Sequence, residues 1–518
     1  MMKYRGKCKM GLRAAAFAAM LALSSASLLT GCAEDAASME ADYAMDNVMT
    51  RHFYRVAGIP RSEAAPERIR GALLEWAEVG GFRAYSDAYG NLAVERAAAE
   101  GFEGRPATIL HTRMDMELIS EGAAPADTGE RGVRLVYESG GEGVRGDGFR
   151  GESLRGDGTN IGAAAALGGA TAQDVMENAG PGGPLRAIFS LGGAGMEGLD
   201  PAWLEGGSLI DLGWNDDGSI CLSSPALSVA RLSRELAWGP PTGKNAYVLS
   251  AAGPAEGYGG KAAPNPIKVV AELLSIAKGE GVVLEIASLS GGASEWEPPR
   301  SASAVIALND YELKRFSSLF KKYEKDFDAR YGGEDGAGLL FAQTEMPEQV
   351  MSFDDGAAVV SLLYSVSEGP CPLDGEDAEN ASVSSNLRRL GLDGGSFGAD
   401  IMLTGASEGV DALCGDIETL AYLCGAQLAR EDVVPPWRTP AHSPLASAFA
   451  GIFEDMCGGY AAARRAEPSG IGFIAAKNPG LDIISIGASI QREGEIRESV
   501  SLRNIGLPAS LILEYLEG

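Results

Sequence analysis

Apolar residues in this chain follow two rhythms. Short continuous runs at 107–110, 185–189 and 208–212 sit among glycine and proline. Runs of that length, apolar at nearly every position, predict strands buried on both faces. Elsewhere apolar residues recur at every third or fourth place. Residues 47–81 predict helix: Ser62 can cap, Pro66 falls in a first turn, and Ile69, Leu73, Trp76 and Ala77 share a face before Gly80-Gly81. An alanine-rich helix is expected over 160–172. Strands alternating with helices predict an α/β fold, with a mostly parallel, doubly wound sheet flanked by helices.

From about residue 230 the texture changes. Strand-like runs at 246–251, 282–289 and 302–308 alternate with helical stretches at 266–277, 310–331 and 408–428. This predicts a second α/β layer domain inserted into the first. The segment Pro435-Pro436-Trp437-Arg438-Thr439-Pro440 reads as a linker. The strand at 481–486 and helix at 506–517 then resume the first domain. The expected division is a first domain from 47–230 and 433–518, with 231–432 as a lid.

The chain has 518 residues and a net charge of −28. Such an acidic chain is a poor match for nucleic acid, so no nucleic-acid partner is expected. Residues 1–31 carry Lys3, Arg5, Lys7, Lys9 and Arg13, then an apolar run at 14–29. That run is short for a membrane span and reads as the core of a signal peptide. It ends in Leu29-Thr30-Gly31-Cys32, which resembles the lipobox of bacterial lipoproteins. The resemblance implies cleavage before Cys32, lipidation of its thiol, a tether at 32–46, and an extracytoplasmic protein held on a membrane by its lipid anchor. Five cysteines remain, at 221, 371, 414, 424 and 457. An odd count without a Cys-x-x-Cys pair indicates neither a disulfide framework nor a zinc ribbon.

The order of short motifs resembles the aminoacyl-histidine (Xaa-His, β-Ala-His) dipeptidases, a family of di-zinc exopeptidases. The resemblance spans residues 47 to 518. It is carried by Ala57-Gly58-Ile59-Pro60-Arg61, Asp87-Ala88-Tyr89-Gly90-Asn91-Leu92, Ile109-Leu110-His111-Thr112-Arg113-Met114-Asp115-Met116, Gly183-Pro184-Leu185, Ala194-Gly195-Met196-Glu197-Gly198 and Asn265. It continues through Gly291-Gly292, Pro299-Arg300, Pro436-Trp437 and the run from Asn478-Pro479-Gly480 to Ile486-Gly487. The resemblance implies a zinc-binding catalytic domain interrupted by a lid that pairs two copies into a homodimer.

That family's chemistry needs five nitrogen or oxygen ligands around two metals, and a carboxylate base to activate the bridging water. Mapped residue by residue, the first histidine ligand falls at Arg113, with Asp115 retained after it. The bridging aspartate falls at Gly158, with Asp157 one residue away. The paired glutamates fall at Gly192 and Gly193, the next aspartate at Gly213, and the last histidine near Gly494. The lid histidine falls near Pro254, and the His-Ala-Gly-Leu-Glu motif reads Pro468-Ser469-Gly470-Ile471-Gly472. Only three histidines exist in the chain. Along a strand, His111, Arg113 and Asp115 share one face at roughly 6.6 Å spacing, so His111 could approach the mouth of the cleft. Arg113 cannot bind zinc because it stays protonated, but it can pair with Asp115.

The sequence shows no base for Ser190. The expectation is a dipeptidase-like protein without cofactor, zinc being the family's metal, that has lost its ligands and binds a peptide-like ligand or a protein partner. The alternatives are an active metallo-dipeptidase with a rearranged metal site and a purely structural envelope protein.

Overall fold

The computed structural model describes residues 48–518 apart from 58, 60–64, 115–134, 139–152, 157–162, 254–263, 332–336, 373–381, 394, 494–496 and 502–504. The chain divides into two compact units, residues 1–224 with 437–518, and residues 225–436.

The first unit begins with helices α1 (Val48–Ala57) and α2 (Ala65–Val79), so the single stretch expected over 47–81 is two helices. Gly58 and Pro60 lie between them, and proline cannot supply the amide an ongoing helix needs. Strands β1 (Arg83–Ser86), β2 (Leu92–Arg96) and β3 (Thr108–Arg113) follow. Then come helix α3 (Ala163–Asn178), strand β4 (Leu185–Ser190), the short helix α4 (Ala194–Gly198), and strands β5 (Ser208–Asp211) and β6 (Ser219–Cys221). After the second unit the chain returns as α5 (Pro444–Cys457), β7 (Ala461–Ala463), α6 (Ile471–Lys477), β8 (Asp482–Ser485) and α7 (Leu507–Glu517). Helix α5 has clear end signals: the Ser443 hydroxyl accepts from Ala446 N, Pro444 starts the helix, and Gly458 closes it at φ 80°.

These strands form one mixed sheet in the order β1-β2-β4-β3-β5-β8-β6-β7. Its centre, β4-β3-β5-β8, is parallel. The edge formed by β1 and β2 is antiparallel. Successive residues along a strand face opposite ways, so each apolar run feeds two cores. Leu110, Phe189, Ile210 and Ile484 pack into one cluster with Phe53, Trp76, Val175, Phe449 and Leu511 from the helices. Ile109, Ile188, Leu209 and Ile483 pack the other way with Met196, Ile471 and Ile474. That two-sided burial is why the strands read as continuous apolar runs. Helix α3 lies close on the sheet because Gly168 has no side chain; a Cβ there would land on the Thr112 hydroxyl. A separate four-stranded sheet joins Ile490–Glu493, Arg497–Ser501, Ser153–Gly156 and Leu135–Glu138.

The second unit is built on an antiparallel sheet. Its long strands Ala226–Glu235 and Ser396–Gly405 pair in continuous register, and Val383–Asp393 pairs with Ser396–Gly405 with a register shift between Leu387 and Arg389. Helices Pro266–Gly279, Asp310–Tyr331, Phe353–Ser365 and Ser407–Leu423 supply the rest of its core. Phe316, Phe327, Ile306 and Leu403 are buried there.

Candidate functional site

In open α/β sheets, ligands bind outside the carboxyl ends of the parallel strands. Here those ends belong to β3, β4, β5 and β8. On each of these strands the face that carries Ile109, Ile188, Leu209 or Ile483 changes two residues later to a polar side chain: His111, Ser190, Asp211 and Ser485. All four are buried, with exposures of 2%, 0%, 3% and 0%. Buried polar groups must find partners, and these find one another. His111 lies directly across from Asp211 in the parallel register. Its Nδ1 is 2.8 Å from Asp211 Oδ1, and its Nε2 is 2.9 Å from Ser190 Oγ. The Ser485 hydroxyl donates to Asp211 Oδ2.

A cation completes the cluster. Arg465, just past β7, directs Nη2 to Asp211 Oδ2 at 3.3 Å, to the Gly213 carbonyl at 2.8 Å and to Ser485 Oγ at 3.2 Å. Its guanidinium also lies 5.3 Å from the Trp214 ring centroid. A Cβ at residue 213 would stand 3.3 Å from Asp211 Oδ2 and in ordinary contact, at 3.5 Å, with Arg465 Nη2. Burial by itself would raise the Asp211 carboxyl. The hydrogen bond and charge of His111, the charge of Arg465 and the Ser485 hydroxyl more than offset this, and the group is held below its usual value.

That shift sets a pH dependence with a definite sign. A carboxyl whose folded pKa is lowered stabilises the fold above its unfolded pKa of about 3.9, and the stabilisation fades as pH falls through the folded value. Unfolding free energy followed by urea titration should therefore drop below about pH 4. The gap between the wild type and Asp211→Asn should narrow over the same range; a constant gap down to pH 2 would contradict the assignment.

Serine, histidine and aspartate stand in the order of a nucleophilic triad. With Ser190 fully buried, its hydroxyl meets no substrate in this conformation, and the three act as a polar clamp across β4, β3 and β5. The sequence shows no base for Ser190 because His111 lies 79 positions away and meets it only through strand pairing. Arg465 has no local signal at all.

Of the other expected site residues, Arg113 is half-buried and ends β3 opposite Ser190. Gly192 and Gly193 form the turn between β4 and α4, where Gly193 takes φ 54° and ψ −122°, a conformation that favours glycine. Gly213 follows β5 directly beneath Arg465. Asp115, Asp157, Gly158, Gly494 and Cys32 lie outside the described residues.

No family model matches the chain. In sequence it is 22% identical, over 483 residues, to the cytosol non-specific dipeptidase of Escherichia coli, covering 90% of this chain and 96% of that protein. In structure it is similar to the aminoacylhistidine dipeptidase of Vibrio alginolyticus, with a TM-score of 0.70 and 19% identity over 91% of this chain and 96% of the other. It is also similar to the aminopeptidase PepT of Bacillus cereus, with a TM-score of 0.55 and 12% identity over 91% and 99% of the two chains. The fold is thus the two-domain exopeptidase fold, and the homology supports the resemblance to the aminoacyl-histidine dipeptidases.

These matches correct two expectations. The relative is by name a cytosol enzyme, which overturns the reading of an extracytoplasmic, lipid-anchored protein. No helix among the described residues is long and apolar enough to cross a membrane. The expectation of a protein without cofactor is overturned too, because the matches are to dipeptidases and the family resemblance they support implies zinc. The described residues do not by themselves fit that ion. No group of three His, Cys, Asp or Glu among them could hold a metal. Both ring nitrogens of His111 are engaged by Asp211 and Ser190, and the carboxylate of Asp211 is engaged by His111, Ser485 and Arg465.

Proposed function

We propose that this protein is a dipeptidase homologue that holds a short peptide or peptide-like ligand at the carboxyl ends of β3, β4, β5 and β8, with its hydrolytic machinery reduced. The observation that carries this reading is the set of residues at the family's acid positions. Gly192, Gly193 and Gly213 supply no carboxylate, so none of them can be the base that hydrolysis requires. In their place a guanidinium stands at the strand ends. The Arg465 side chain is 18% exposed, and a peptide's terminal carboxylate is a natural partner for a guanidinium.

The test is calorimetry with β-Ala-His and other dipeptides, beside chromatographic assay of hydrolysis in zinc-supplemented buffer. Binding without turnover is expected, weakened by roughly tenfold or more in Arg465→Gln. Hydrolysis abolished by a chelator would instead establish the second reading, an active dipeptidase. The sequence match across 90% of the chain favours that second reading. It would draw its ligands from positions such as Asp115 and Asp157, and Asp115→Ala should then abolish turnover. From the family resemblance we also propose that the unit at 225–436 pairs two copies; light scattering showing a monomer at micromolar concentration would refute the pairing.

A further inference from the structure

The parallel strands have a second end. A cavity of about 650 Å³ opens at their amino ends, on the side of the sheet opposite the His111 cluster. The first residue of each central strand lines it: Thr108 of β3, Leu185 of β4, Ser208 of β5 and Asp482 of β8. The volume lies within the range of pockets that enclose small organic ligands.

Its polar lining is oddly unsatisfied. Ser208 is 7% exposed, yet its hydroxyl forms no hydrogen bond among the described residues, and neither does that of Thr108 or Tyr515. Thr108 and Tyr515 are half-buried and all three residues line the cavity, so these hydroxyls are free to hydrogen-bond a ligand there. Two guanidiniums also face this space. Arg96 donates only to the carbonyls of Met176 and Gly180, at 3.1 and 3.3 Å. Arg105 rests on the Phe102 ring, 4.8 Å from its centroid. Neither has an acidic partner among the described residues, in a chain where acids outnumber bases 71 to 43. The cavity's own acid is already engaged: Asp482 accepts from Ser443 Oγ at 2.6 Å and from Leu445 N at 2.9 Å, holding the start of α5. Leu445, Leu516 and the Tyr515 ring supply an apolar wall.

We propose that this cavity is a binding site for a small organic carboxylate with an apolar body. The guanidiniums take the carboxylate, the hydroxyls complete its hydrogen bonds, and the apolar wall takes the rest. Bound there, such a molecule ties together β3, β4, β5 and β8 at their roots.

The experiment uses the full chain and a matched pair of probes, N-acetyl-phenylalanine and its neutral C-terminal amide, measured by titration calorimetry. The acid should bind roughly ten- to a hundredfold more tightly than the amide, as charge-assisted hydrogen bonds require. Arg96 also caps the end of α3, so its replacement could disturb folding. Exposed Arg105 and the small Ser208 are therefore the positions to change. Arg105→Gln and Ser208→Ala should each reduce the preference for the acid, while Arg68→Gln on the exposed face of α2 should leave it unchanged. Equal binding of acid and amide, no binding of either, or a preference that survives Arg105→Gln and Ser208→Ala would overturn the proposal.

Discussion

An Asp211→Ala variant is expected to lose about 3–5 kcal/mol of unfolding free energy, the usual cost of removing one partner from a buried charged pair. The carboxylate is the hub of the cluster. His111 Nδ1, Ser485 Oγ and Arg465 Nη2 all converge on it, and its exposure is only 3%. Alanine would leave the half-buried Arg465 guanidinium without its counter-ion and the buried His111 and Ser485 without an acceptor. Asp211→Asn keeps an oxygen for His111 and removes only the charge, so it should cost less, about 1–3 kcal/mol. Urea unfolding with an unchanged denaturant slope is the measurement. A loss below about 1 kcal/mol for Asp211→Ala would show that water or a rearranged Arg465 already satisfies these groups, and the clamp would lose its standing.

The second large effect lies on the other face of the same strand. Phe189 precedes Ser190 and points the opposite way, into the core under α2 and α3. It is 1% exposed, and its ring meets Trp76 edge-on, with centroids 6.3 Å apart and planes at 77°. Phe189→Ala should cost about 3–5 kcal/mol through lost burial and the cavity left behind. The aromatic pair is part of the same loss. The neighbouring Ser190–His111 contact depends on where β4 sits against β3. Ring-proton chemical shifts of His111 in the variant should therefore move, whereas a surface change of equal size elsewhere should leave them in place. A stability loss under about 1 kcal/mol would mean that the surrounding side chains close the hole, contrary to the limited relaxation expected of a close-packed core.

What could be read from the sequence was whatever depends on neighbours along the chain. The apolar runs at 107–110, 185–189 and 208–212 became β3, β4 and β5 because burial on both faces leaves no room for polar alternation. The α/β class and the exopeptidase fold followed from that alternation and from colinear short motifs. The ends of elements were less legible. The helix expected at 160–172 runs from Ala163 to Asn178, since Val175 and Met176 continue its buried face. The sheet expected to be mostly parallel is parallel at its centre and antiparallel at β1 and β2, because pairing partners are chosen in space.

The site shows the same division more sharply. The glycines at 192, 193 and 213 are visible in the sequence as missing donors, because a glycine lacks a side chain in any fold. The partners of His111 are not visible. Ser190, Asp211, Ser485 and Arg465 come from four separate stretches, and only strand register and the return of the chain after β7 bring them within 3.3 Å of one another's polar atoms. Hydrogen bonds act over one atomic contact and carry no trace in sequence spacing. The local pattern therefore settled which elements form and which donors are lacking. The tertiary fold alone decided that a buried histidine, an aspartate and an arginine stand together at the strand ends.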